Sequence, residues 1–130
     1  MVLNHNQDQL FTGKVTFAGP VTFITPSMPT FDLEDGKVVC AQLGLVVEAT
    51  SADTSHADRL MGIKFGDRYV ATSGYLTFPN WWLSKGDPLF LGSNGFPVHN
   101  VPTAGFQQQV GIAIDEHTML VALGQAIILI

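Results

Sequence analysis

Short apolar runs, each bounded by Gly, Pro, Asn, Asp or Ser, set the pattern of this chain. Val38 to Leu43, Leu45 to Ala49, Leu60 to Phe65, Arg68 to Thr72 and Tyr75 to Phe78 each fit a strand with a buried face. The last two read as a hairpin around Ser73-Gly74. Asp87-Pro88 is incompatible with a helix interior, so Gly86 to Pro88 is expected to turn and launch a strand over Leu89 to Leu91. Ser93-Asn94-Gly95 tolerates positive φ and suits a tight reversal. Phe96 to Val101, Gln109 to Ile114, Thr118 to Leu123 and Ala126 to Ile130 then read as an antiparallel meander. Its final run, Ile127-Ile128-Leu129-Ile130, is expected to be covered by something. No window carries a helical apolar period over three turns, so no long helix is predicted, and residues Thr50 to Asp58 have room for one short helical turn. The predicted fold is all-β, a compact antiparallel β-barrel or sandwich.

The front of the chain reads differently. Ten mostly polar residues, an attachment arm, precede two hexads in register, Val15-Thr16-Phe17-Ala18-Gly19-Pro20 and Val21-Thr22-Phe23-Ile24-Thr25-Pro26. Val15 and Phe17, like Val21 and Phe23, fall on one side of an extended chain. A Pro closing each unit removes a backbone donor that a central strand needs. Such units suit a short fibre-like stem wound from several identical chains; an ordinary edge strand is the plainer alternative. Pro26 to Thr30 reads as a stiff linker. Residues 1–30 are thus expected to be an arm and stem, and residues 31–130 an all-β domain. A second echo pairs Met61-Gly62-Ile63 with Val110-Gly111-Ile112, where a Gly between bulky neighbours marks a bulge or a close backbone approach.

Composition narrows the function. Only 13% of the 130 residues are charged, about half the usual share, and mean hydropathy is +0.26, so much of the surface is expected to be covered by other copies. A net charge of −5 with six scattered Lys/Arg argues against nucleic acid. No apolar stretch approaches the ~18 residues of a membrane span, and no basic region leads an apolar one near Met1, so neither membrane insertion nor secretion is expected. One cysteine, Cys40, excludes an internal disulfide, and its apolar neighbours predict a buried thiol rather than a nucleophile.

Catalytic chemistry finds little support. Asp53-Thr54-Ser55-His56-Ala57-Asp58 holds the residue types of a triad, but neighbours in one loop lack the rigid orientation a triad needs. The four histidines are far apart, so no metal or other cofactor is expected. A single His99 or His117 from each chain of a trimer, gathered on its axis, is the one arrangement that would hold a metal. Asp115-Glu116 reads as a hairpin tip. Trp81-Trp82, with Tyr75, Phe78 and Phe96 nearby in sequence, is the candidate binding surface. Its rings suit sugar stacking or partner contact, or one Trp plugs the barrel end while the other covers a subunit seam. His56 and the exposed loops over residues 50–58 and 80–85 are further candidates for partner contact. A small-ligand-binding β-barrel built on the two Trp is the remote alternative.

Gly86-Asp87-Pro88-Leu89-Phe90-Leu91-Gly92-Ser93-Asn94-Gly95, then Val101-Pro102-Thr103-Ala104-Gly105-Phe106, then Gln109-Val110-Gly111-Ile112-Ala113, resembles a segment of small all-β structural proteins of tailed bacteriophages, of the head-decoration and tail-fibre or tail-tip types. The likeness spans roughly Val38 to Ile130 and includes Met61-Gly62-Ile63. It implies a non-enzymatic virion protein, most often a homotrimer, whose partners are its own copies and other virion proteins. The hexads are not part of the shared pattern. Added in front, they favour a fibre or tail-tip protein, with a host surface receptor as a further partner. A capsid decoration protein that stabilises the head is the alternative.

Overall fold

The computed structural model describes residues 9–12, 15–19, 21–23, 34–66 and 69–129; for the strands between residues 9 and 23 it describes the backbone alone. The architecture is all-β and every strand pairing is antiparallel. Three strands precede residue 24: β1 (Gln9–Thr12), β2 (Val15–Ala18) and β3 (Val21–Phe23). Then come β4 (Val38–Gln42), β5 (Leu45–Glu48), β6 (Leu60–Phe65), β7 (Tyr69–Ala71) and β8 (Gly74–Thr77). The final third holds β9 (Pro88–Leu91), β10 (Pro97–Val98), β11 (Phe106–Gln107), β12 (Gln109–Ala113), β13 (Thr118–Val121) and β14 (Ile127–Ile128). A single 3-10 turn, Thr54–His56, is the only helical element among the described residues.

The strands form a seven-stranded sheet in the order β1-β2-β8-β13-β12-β9-β10, a five-stranded sheet in the order β3-β7-β6-β4-β5, and a β11-β14 ribbon. The main core draws on both larger sheets. Val38, Cys40, Ile63, Phe65 and Ala71 come from the five-stranded sheet, and Leu76, Leu89, Leu91, Val110, Met119 and Val121 from the seven-stranded one. Phe106, from the ribbon, joins the same cluster. Alternation sends Val39, Val46 and Val70 into a second cluster with Met61.

Two predicted pairings are corrected. β7 and β8 do not form a hairpin with each other. Both edges of β7 are taken by β3 and β6, and both edges of β8 by β2 and β13, so residues 72–73 carry the chain from one sheet to the other. The two hexads make the same crossing beside them, with Ala18 opposite Tyr75 and Val21 opposite Ala71. Sequence alone sets Val15, Phe17, Val21 and Phe23 in a stem ahead of the β domain; in the single chain their backbones add a strand to each of its two larger sheets. Their side chains, residues 1–8 of the ten-residue arm and the linker over 26–30 lie outside what the structure describes, while Gln9 and Leu10 begin β1.

The closing meander is the second correction. β12 pairs with β9 and β13, leaving β10 at the sheet edge, and the last strand leaves the main sheet to pair with β11. Gly124 N–H, bonded to Gln109 O at 2.8 Å, fixes the turn that sends it away.

The glycine echo does mark close approaches. An added Cβ at Gly62 would sit 2.1 Å from Ala71 O, and one at Gly111 would sit 2.2 Å from Leu120 O. Each lies beside a register shift, between Val39 and Cys40 in the β4–β6 pair and between Gln109 and Gly111 in the β12–β9 pair. A different device closes β4 and β5: Leu43 and Gly44 both take positive φ, 53° and 77°, in a two-residue turn. Leu43 is 94% exposed at that tip.

Candidate binding surface

Trp81 and Trp82 lie in the segment that leaves β8. Phe78 is buried, and Trp81 N–H donates to Phe78 O at 3.0 Å, folding the chain back so that the two rings meet with centroids 4.2 Å apart. Trp81 is half-buried against the main core and, with Phe96, covers Gly36, where an added Cβ would lie 3.5 Å from each ring. The next side chain points the other way. Trp82 is 73% exposed and meets His117 edge-on, centroids 4.8 Å apart at 64°.

His117 belongs to the β12–β13 turn and is held firmly. Its Nδ1 lies 2.6 Å from Trp81 O. A carbonyl only accepts, so Nδ1 carries the proton and donates. Asp115 Oδ1 accepts from His117 N and Thr118 N, each at 2.9 Å. Those bonds, His117 N–H foremost, hold the Asp115 carboxyl below its usual range. Leu83 N–H donates to Glu116 O at 2.8 Å and Phe78 N–H to His117 O at 2.9 Å, lacing the Trp segment to this turn. Asp115-Glu116 therefore forms a hairpin tip, as its sequence suggests.

The triad-like residues of the 50–58 loop do not assemble in the Ser–His–Asp order of a triad. Ser55 Oγ donates to Asp53 Oδ1 at 2.7 Å and accepts from Gln42 Nε2 at 3.0 Å. His56 is buried, and its Nδ1 accepts from Thr50 N at 3.2 Å, so Nε2 bears the proton and faces Asp53 Oδ2 at 3.4 Å. The carboxylate stands between hydroxyl and imidazole, so the Ser55 hydroxyl bonds the carboxylate rather than the His56 ring. Asp53 instead accepts from Ser55 N at 3.0 Å as the cap of the 3-10 turn. The Ser55 bonds, hydroxyl first, hold its carboxyl below the usual range. His56 is a loop anchor, shielded from the partner contact its sequence position suggests.

Cys40 is fully buried, and its thiol is pushed up to about 11, first by burial and then by the charge of Asp53, with Arg59 opposing. In the folded protein, iodoacetamide is expected to leave Cys40 unmodified at about pH 8, and urea-unfolded chain to react readily. Equal labelling of both would show that β4 opens.

The remaining histidine, His99, accepts from Ser84 N through Nε2 at 3.2 Å, with Nδ1 3.7 Å from Asp87 Oδ2. This bond ties the Trp82 segment to the 98–104 loop. That loop forms one wall of an open cleft of about 570 Å³, whose other wall includes Ser51, Ala52, Gly92, Ser93 and Asn94. Among the described residues, no charged side chain lines it. Among the described residues, no group of three or more His, Cys, Asp or Glu is placed to hold a metal ion.

Sequence singled out Trp81 and Trp82 but not their anchor, His117, which lies 36 residues away from Trp81. It also missed the cleft, whose walls come from separate turns. Asn94-Gly95 and Pro102-Thr103-Ala104-Gly105 were readable as turns, but not their convergence. The chain matches no family model, no curated protein and no solved structure.

Proposed function

We propose that this chain is a non-enzymatic structural subunit of a bacteriophage virion that works as a homotrimer, in a tail fibre or tail tip. The observation that carries the assembly reading is the β11–β14 ribbon. Ile127 and Ile128, successive residues of one strand, point to opposite faces, and they are 59% and 50% exposed. Phe106 anchors the ribbon to the core, yet both isoleucines stay half-open or more, so the ribbon gains by packing against another copy. The outer face of the seven-stranded sheet adds to this. Tyr75, Leu120, Ile112 and Pro88 stand in register across four neighbouring strands there, none of them charged. The virion assignment rests on the sequence resemblance. The non-enzymatic reading is supported by the Ser55–Asp53–His56 order and the protonated, buried Cys40.

A capsid decoration role is the second reading. The pairing of β2 with β8 and of β3 with β7 favours it, because hexads spent on the domain's own sheets leave less chain for a projecting stem.

Light scattering on the purified protein tests the assembly. Three times the 14.0 kDa chain mass is expected, falling to one chain mass in the Ile127→Lys/Ile128→Lys double variant. A wild-type monomer overturns the reading. Immunogold labelling of virions then separates tail from head.

A further inference from the structure

The geometry points to the free face of Trp82, with Nε2 of His117 beside it, as a binding platform for a neutral pyranose ring of a polysaccharide. The argument begins with the cost of the arrangement. An indole left 73% exposed gains little from burial, yet this one is held in place. It meets the His117 ring in a T-shaped contact, and the backbone behind it is pinned by the 2.6 Å bond from His117 Nδ1 to Trp81 O. A rigid, presented ring loses little freedom when something stacks on it.

The polar group alongside has a defined character. Because Nδ1 donates to a carbonyl, the imidazole in its neutral form presents Nε2 as an acceptor, and no described residue bonds it. Asp115 is already occupied by two backbone amides, whereas Glu116, next to it, is exposed and makes no side-chain bond to any described residue. Exposed Asn80 precedes the Trp pair in the same short segment. The platform therefore offers one flat apolar face with an acceptor, His117 Nε2, close by. A pyranose has the matching chemistry: C–H bonds on one face for the indole, and hydroxyl donors around its rim. Apolar protein partners have a better surface elsewhere, at Ile127 and Ile128.

The inference does not depend on the oligomeric state, and its test separates the two. Uniformly nitrogen-15-labelled full-length protein is titrated with oligosaccharides of glucose, galactose, mannose, rhamnose and N-acetylglucosamine. The indole N–H signal of Trp82, assigned with Trp82→Phe, and the amides of residues 115–118 are followed. At least one sugar is expected to shift these signals, with Trp82→Ala weakening its binding about tenfold and Trp82→Phe retaining most of it. His117→Gln, whose amide also places an acceptor at this position, is expected to bind more weakly than wild type but better than Trp82→Ala. No shift with any of the five sugars at about 10 mM overturns the inference, since weaker binding would fall below the affinity of one stacked ring. So does a Trp82→Ala protein that binds sugar unchanged. A wild type whose signals no sugar shifts, with Trp82→Ala losing oligomer mass, likewise overturns it and makes Trp82 a subunit contact.

Discussion

Gly62→Ala is expected to destabilise the protein by about 3 kcal/mol, at the upper end of what overpacking costs. The added Cβ would lie 2.1 Å from Ala71 O and 2.9 Å from Ala71 C, so it meets backbone that cannot rotate away. Gly62 also sits at φ 154°, a conformation that side chains disfavour. The sheet can relieve the clash only by parting β6 from β7. Gly44→Ala is the matched control. Its φ is 77°, but nothing lies within 4 Å, so only the strain of a left-handed residue applies, about 1 kcal/mol. Urea denaturation of both variants checks the difference. Equal losses would mean that β6 and β7 are not held as closely as described.

Phe106→Ala is expected to cost about 3–5 kcal/mol, the range for removing a buried aromatic ring. Its consequence reaches further than the core. Phe106 is the only residue of the β11–β14 ribbon buried in the main cluster, and its partner across the ribbon is Ile128. Its N–H also donates to Ser51 O at 3.0 Å. Without the ring, the ribbon keeps its backbone pairing but loses its anchor to the core. Hydrogen exchange at Leu129 N–H, which donates to Gly105 O at 2.9 Å, is therefore expected to accelerate more than exchange within β12 and β13. Uniform acceleration across all three strands would show instead that ribbon and sheet unfold as one unit.

Local features were legible in the sequence where the signal was itself local. The short apolar runs over residues 38–43 and 45–49, either side of Gly44, could be read as strands, and the structure pairs them as a hairpin through Leu43-Gly44. Gly62 and Gly111 could be read as close approaches because only glycine fits between bulky strand neighbours there. Partner choice was not legible. Residues 69–71 and 74–77 look like two arms of a hairpin, yet each finds two other partners, one of which comes from the first 23 residues. Nor could Trp81 be told from Trp82, since both lie outside regular strands, where no period assigns a face. The distinction is made by His117, whose reach to Trp81 O depends on how β13 docks on β8.

The crossing at which β2–β3 runs beside β7–β8 has a consequence for synthesis on the ribosome. β8 lies between β2 and β13, so the sheet's middle is filled by a strand that appears only after residue 117. Until then, β8 presents one unpaired edge while β2 already covers the other. A nascent chain in that state leaves this edge open to the equivalent strand of a neighbouring copy until its own is made. Crowded translation on one message would therefore favour strand exchange between neighbours, and slow elongation through the last quarter would prolong the opportunity.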